Sequence, residues 1–217
     1  MDPPAQVGHG PAERPAVSWL VHLLVNLAGA TLAAFFARAT LLYFLRTHSL
    51  IGGVFFVEQA WYVGAFLARR PPRASSRQLR AWLLAAGGTF GGLLLRPEGL
   101  HPHWGVVAGL VLQLVGLVLA LAALAALGRS FGFVAADRGL VTRGPYRVVR
   151  HPVYASYIVI QSGYLLQAQS PRNLLVLLFA TGCNVGRCLA EEQILAGTPA
   201  FQQYRERVRW RLVRGVW

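Results

Sequence analysis

The sequence predicts an all-α fold, a polytopic membrane bundle of about six transmembrane helices. Three observations carry that expectation. Of 217 residues, 55% are hydrophobic and 13% charged, with a mean hydropathy of +0.45; a soluble domain carries roughly 25% charged residues. Six apolar runs approach the roughly 20 residues that a bilayer core requires. The arginines gather in alternate connections between those runs.

The polar, Pro-rich stretch 1–16 lacks a basic leader and a small-residue cleavage site, so it reads as a tail and not as a signal peptide. The first run, Val17 to Ala37 and extendable to Leu45, is longer than a signal core and should remain as a span. The second is Leu50 to Ala68 and the third Leu79 to Leu95. The fourth, Trp104 to Leu127, is the most apolar. The fifth is Val153 to Ala168 and the sixth Asn173 to Leu189. A count of five is the alternative, because the third, fifth and sixth runs are short or partly polar. The chain thus divides into a tail (1–16), helices 1–4 (17–127) and a motif-bearing region (128–217).

All 21 basic residues are arginine, and the net charge is +13. Arg69, Arg70, Arg73, Arg77 and Arg80 lie between spans two and three. Arg129, Arg138, Arg143, Arg147 and Arg150 lie between four and five, and Arg205, Arg207, Arg209, Arg211 and Arg214 follow span six. The opposite connections carry Arg46, Arg96 and Arg172. This bias orients a membrane protein with both termini cytoplasmic, and it argues against reading the charge as a nucleic-acid footprint. Gly87, Gly88, Gly91 and Gly92 form two overlapping G-x-x-x-G patterns in span three, which points to close helix packing. Phosphate-loop and dinucleotide fingerprints are absent. Cys183 and Cys188 form no C-x-x-C pair and read as packing residues. His101-Pro102-His103 has no accompanying metal-ligating cluster and reads as a loop.

The densest chemistry is Gly144-Pro145-Tyr146-Arg147-Val148-Val149-Arg150-His151-Pro152-Val153-Tyr154, at the cytoplasmic start of span five. Positive-inside charge alone accounts for loop arginines. Arg150-His151-Pro152, however, sits where a helix begins: Pro152 suits its first turn, and that end attracts anions. Glu191-Glu192 oppose the dipole at the end of span six, as if a cation sat there; a surface pair with Arg187, four residues earlier, is the plainer alternative. Glu58 is an intramembrane carboxylate and therefore a functional candidate by default, with pairing to a loop arginine as the alternative. Phe201, Tyr204, Val208, Trp210, Leu212, Val213 and Trp217 alternate with arginines in a basic amphipathic tail, suited to the membrane surface and to covering a pocket.

The run Gly139-Leu140-Val141-Thr142-Arg143-Gly144-Pro145-Tyr146-Arg147, with Arg150-His151-Pro152-Val153-Tyr154, Arg187-x-x-x-Glu191-Glu192 and Phe201-x-x-Tyr204-x-x-x-Val208, resembles the isoprenylcysteine carboxyl methyltransferase family, related to the phospholipid N-methyltransferases. The resemblance spans about Leu127 to Trp217. It implies a helical membrane enzyme that uses S-adenosylmethionine in a cytosolic pocket near the C-terminus and methylates a lipophilic or lipid acceptor, without metal. By motif position, Leu140, Val141, Thr142 and Tyr146 would line the adenosine side, and Arg150, His151 and Tyr154 the methionine end. Glu191 and Glu192 would meet its ammonium or ribose, and Arg187 would orient the carboxylates or a substrate anion. Arg187, Glu191 and Glu58 are the residues placed at the chemistry. Two departures stand out: Arg138 occupies a position where many relatives have His, and Leu119 to Leu127 is wholly apolar where the eukaryotic carboxyl methyltransferases carry a basic residue. A sterol-reductase-like enzyme using NADPH and a non-catalytic membrane subunit are the rival readings. The implied location is an inner, plasma-type bacterial membrane, with the motif loop cytoplasmic.

Overall fold

The computed structural model describes residues 19–48, 50–70, 74–75, 78–132 and 136–217. The polar tail 1–16, the first residues of the first run, and Arg73 and Arg77 lie outside that set. The fold is all-helical: α1 (Trp19–Thr47), α2 (Leu50–Ala68), α3 (Leu79–Phe90), α4 (His103–Leu127), α5 (Pro152–Gln167), α6 (Pro171–Leu195) and α7 (Pro199–Arg207). Two-residue strands β1 (Ala74–Ser75) and β2 (Ala136–Asp137) pair antiparallel and join the loop after α2 to the loop after α4.

The local sequence accounts for the boundaries. Pro152, Pro171 and Pro199 each open a helix, where a missing N–H costs nothing. Ser170 caps α6 by accepting the Asn173 N–H at 3.1 Å. Gly128, at φ +51°, ends α4 in a conformation that favours glycine. In α3 the glycine pairs do not sustain the α form to Leu95; the helix tightens into a 3-10 turn over Gly91–Leu94.

The six apolar runs become six helices, α1 to α6. Among the described residues, α1, α4 with its short extension to Ser130, and α6 are long and apolar enough to cross a membrane. Outward-facing Leu24 and Phe35 on α1, Val111 and Val118 on α4, and Leu175 and Leu178 on α6 present apolar surface suited to lipid. Two expected boundaries move. Helix α1 continues beyond Leu45 to Thr47, and α6 continues beyond Leu189 to Leu195, so Glu191 and Glu192 are intrahelical.

Helices α1 and α2 form one hairpin, α4 and α5 a second, and α3 packs on α6. Small residues set the close crossings. A Cβ on Gly163 of α5 would lie 2.6 Å from the Gly109 carbonyl oxygen of α4. One on Gly87 would lie 2.6 Å from Cys183 Sγ, and one on Gly91 3.0 Å from Ala180 Cβ, so the α3 glycines do face a neighbouring helix. At the far end, Asn173 is fully buried; its Nδ2 donates to the Arg96 and Ala168 carbonyls, both at 2.8 Å, and its Oδ1 accepts from Arg96 N at 3.1 Å. That satisfied amide fastens the α3–α4 connection to the start of α6. At the motif end, Trp61, Tyr62 and Phe66 of α2 surround Phe131 with ring centroids 5.7, 5.5 and 5.2 Å away. This aromatic cluster docks the first hairpin beside the motif loop.

Candidate functional site

A cavity of about 1100 Å³ runs between the α1–α2 hairpin and the remaining helices. Leu140, Val141, Tyr146, Arg150, His151, Tyr154, Arg187 and Glu191 all contribute to its wall, as does Glu58 from the opposite hairpin. Thr142 and Glu192 are not part of that wall, and Thr142 is exposed. A single small-molecule site typically occupies roughly 300–1,000 Å³, so this cavity lies at the upper end of that range.

The motif loop is built to hold the tail. Main-chain bonds run from Arg150 N to the Trp210 carbonyl and from His151 N to the Arg211 carbonyl, both 2.9 Å. Arg150 Nη1 donates to the Val208 and Arg209 carbonyls, both at 2.8 Å, and its Nε donates to Glu192 Oε1 at 2.7 Å. His151 Nε2 lies 3.2 Å from the same oxygen, and Arg211 Nε donates to Glu192 Oε2 at 3.0 Å. Both Glu192 oxygens therefore meet cationic or imidazole groups of the protein itself. Tyr204 of α7 donates its hydroxyl to the Tyr146 carbonyl at 2.7 Å, and Phe201, Tyr204 and Val208 pack with Leu140 and Leu195. The tail turns its apolar side inward over the loop, and its helix stops at Arg207.

Glu191, one residue earlier, turns toward the cavity, with His151 Nδ1 3.7 Å from its Oε2. It accepts a short hydrogen bond from Tyr154 and remains partly accessible at the cavity wall. The Arg187 guanidinium lies 4.7 Å above the Tyr154 ring, and its Nη1 donates to Thr89 Oγ1 at 3.1 Å. A Cβ on Gly88 would lie 2.4 Å from Asn184 Oδ1 and 3.3 Å from Arg187 Cδ, so the α3 glycine makes room chiefly for Asn184 and also for Arg187. Glu58 is 4% exposed and accepts from Tyr62 at 3.4 Å. Among the described residues no loop arginine pairs with it.

Arg138 is the residue that motif position did not place at the site. It lines the cavity with 9% exposure, and its buried Nε has no hydrogen-bond partner among the described residues. Burial lowers its pKa from the usual guanidinium value, with nearby Glu191 acting in the opposite direction. Burial likewise lowers the pKa of Arg69 to about 10, with Arg138 adding like-charge repulsion. The signal available in the sequence was that Arg138 stands immediately before the Gly139-Leu140-Val141 run. The far end of the cavity also carries unanticipated polarity: Gln113, Gln161 and Gln167, with Gln167 Nε2 donating to Gln113 Oε1 at 3.4 Å.

Residues 104–198, covering α4, the motif loop, α5 and α6, match the phospholipid methyltransferase family model. This segment is therefore similar to the phospholipid methyltransferase family. A 79-residue stretch is also 35% identical to protein-S-isoprenylcysteine O-methyltransferase A of Arabidopsis thaliana, covering 34% of this chain and 40% of that relative. The chain thus aligns with less than half the length of the plant protein. In the phospholipid methyltransferase segment lie Tyr146, Arg150, His151, Tyr154, Arg187, Glu191 and Glu192; Glu58 and the tail lie outside it.

Proposed function

We propose that the chain is an integral-membrane methyltransferase that transfers a methyl group from S-adenosylmethionine to a lipophilic acceptor. The match of residues 104–198 to the phospholipid methyltransferase family model supports a methyl donor. The observation that carries this reading is the mixed-charge end of the cavity, where Glu191 and Tyr154 face Arg138 and Arg187 beneath the Tyr204 roof. A sulfonium amino acid brings a carboxylate and a cationic end together, and charges of both signs are needed to desolvate it. The buried Arg138 Nε, without a partner among the described residues, supports the fit.

In this reading Arg138 and Arg187 take the anionic carboxylate, and Glu191 takes the ammonium or the ribose hydroxyls. Leu140, Val141 and Tyr146 cover the adenine face. Arg150, His151 and Glu192 hold the loop and tail in register, acting on the donor through the walls they fix. Bound there, the donor supplies an electrophilic methyl group; the protein's task is to orient the nucleophile and exclude water. The acceptor's apolar body lies in the remaining cavity between the hairpins, reached from the bilayer and stabilised by about 0.8 kcal/mol per buried CH₂. Region 128–217 then serves as the donor half and helices α1 to α4 as the acceptor half. The arginine bias supports an inner-membrane topology with the loop and both termini in the cytoplasm.

Calorimetry on the purified chain with S-adenosylhomocysteine and with NADPH tests the donor class. Binding of the former at micromolar scale, roughly −8 kcal/mol, is expected. Binding of NADPH alone would reject methyl transfer. Incubating methyl-labelled donor with a lipid extract then reports the acceptor.

A further inference from the structure

Glu58 is the cavity group that the donor site does not use. It stands beside Gln59 in a mostly apolar helix, 4% exposed, with no paired cation among the described residues. Its hydrogen-bond partner is the Tyr62 hydroxyl one turn along α2, at 3.4 Å. Tyr62 shares a short hydrogen bond with the hydroxyl of Tyr157, which comes from α5 across the cavity. These contacts have a direction. A carboxylate only accepts, so Tyr62 donates to Glu58 and must accept from Tyr157. The Tyr157 oxygen then keeps its lone pairs, and Tyr157 lines the cavity. The line ends in an acceptor for someone else's proton. That end lies one helical turn from Tyr154, with ring centroids 6.5 Å apart, and Tyr154 holds Glu191. The proton-accepting end therefore borders the place where the methyl group would be presented.

We infer that the acceptor carries a neutral protic nucleophile, a hydroxyl or an amine, on an apolar body, and that Tyr157, Tyr62 and Glu58 remove its proton during methyl transfer. This rests on the methyl-transfer reading and narrows its substrate class. As the acceptor's oxygen or nitrogen bonds to the methyl carbon, the carbon–sulfur electron pair leaves with sulfur. The acceptor proton passes to Tyr157, that of Tyr157 to Tyr62, and that of Tyr62 to Glu58. A carboxylate and a sulfonium ion are both neutral afterwards, so the transfer cancels two buried charges and creates none. Glu58 returns its proton to water when the products leave. A carboxylate acceptor has no proton to give and would sit beside a buried carboxylate, a like-charge arrangement that opposes binding. The 3.4 Å contact to Glu58 is long for an O–H···O bond, as catalytic hydrogen bonds often are before substrate closes the site.

The full-length protein in nanodiscs, with S-adenosylhomocysteine present, is titrated with 4-dodecylphenol, 4-dodecylaniline and dodecanoate. The wild type should bind the phenol or the amine at least tenfold more tightly than dodecanoate, and Glu58→Gln should narrow the gap; the phenol and amine arms separate oxygen from nitrogen acceptors. With methyl-labelled donor, Glu58→Gln and Tyr62→Phe should slow turnover of the preferred probe by about 100-fold or more, while S-adenosylhomocysteine affinity stays within about twofold. Dodecanoate bound as tightly as the neutral probes by wild-type protein, or methylated, overturns the inference; so does wild-type turnover by Glu58→Gln. Absence of S-adenosylhomocysteine binding to the wild type would instead fall on the methyl-transfer reading, and the probe preference would still report the acceptor class.

Discussion

The Arg150 Nε and the Glu192 Oε1 meet at 2.7 Å, with side-chain exposures of 3% and 9%. The same guanidinium donates to two carbonyls of the tail, and the same carboxylate accepts from Arg211. A pair so placed welds three parts of the chain: the start of α5, the end of α6 and the C-terminal segment. The Arg-His-Pro sequence is in this respect a fastening for the roof before it is a wall of the pocket.

Arg150→Ala should therefore destabilise the fold and not act on ligand alone. Removing one partner of a buried pair costs about 3–5 kcal/mol, and here two tail carbonyls lose their donor as well. We expect earlier thermal unfolding and faster proteolytic clipping after Val208 than in the wild type. An unchanged clipping rate would mean that the tail is held by its apolar contacts alone.

Glu191→Gln should behave in the opposite way. Glu191 touches Tyr154, His151 Nδ1 at 3.7 Å and the cavity, but neither Arg150 nor Arg211. The variant should keep wild-type thermal stability and lose S-adenosylhomocysteine affinity by an amount equivalent to about 2–5 kcal/mol, the cost of leaving a ligand charge unpaired in a desolvated site. Calorimetry on protein of verified fold decides the matter; wild-type affinity would return Glu191 to a surface role.

The six helices α1 to α6 were legible because apolar runs announce themselves by length, although only α1, α4 and α6 among the described residues are long and apolar enough to cross a membrane, and the motif loop because polar residues at a membrane edge are costly. Residue roles were less so. Glu191 and Glu192 are adjacent in sequence, yet helical geometry turns one to Tyr154 and the cavity and the other to Arg150 and Arg211, with His151 between them. The intramembrane position of Glu58 marked it as a candidate, whereas its partners Tyr62 and Tyr157 lie 95 residues apart and meet only through the packing of two hairpins. Span three drew attention for its glycines, while Gly105, Gly109 and Gly116 of α4 pack as closely against α5. A run as apolar as α4 hides its interface, because every face reads alike in hydropathy.

The α4–α5 crossing offers a test of packing without chemistry. Gly163→Ala places a Cβ 2.6 Å from the Gly109 carbonyl and 2.9 Å from Gln113 Cγ, an overpacking that should cost about 1–3 kcal/mol. Gly182→Ala on α6 meets nothing within 4 Å among the described residues and should stabilise by up to about 1 kcal/mol through helix propensity. Unfolding in mixed micelles should rank the two variants on either side of the wild type.

Tyr204→Phe isolates the roof from the ion pairs. The hydroxyl is buried and donates to the Tyr146 carbonyl at 2.7 Å, and deleting it leaves that carbonyl without its donor, a cost of about 1–3 kcal/mol. Because Tyr146 belongs to the proposed adenosine wall, S-adenosylhomocysteine affinity should fall by roughly five- to tenfold alongside the stability loss, as about 1–1.4 kcal/mol of that cost appears in binding. Burial raises the Tyr204 pKa to about 12, above the roughly 10 of an unfolded tyrosine. A raised folded-state pKa contributes stability that is complete below about pH 10 and lost as the pH climbs through about 12. The wild-type advantage over Tyr204→Phe should therefore stay constant from pH 6 to 9. A difference that shrinks within that range would assign the effect to another titrating group and remove the Tyr204–Tyr146 bond from the account of the roof.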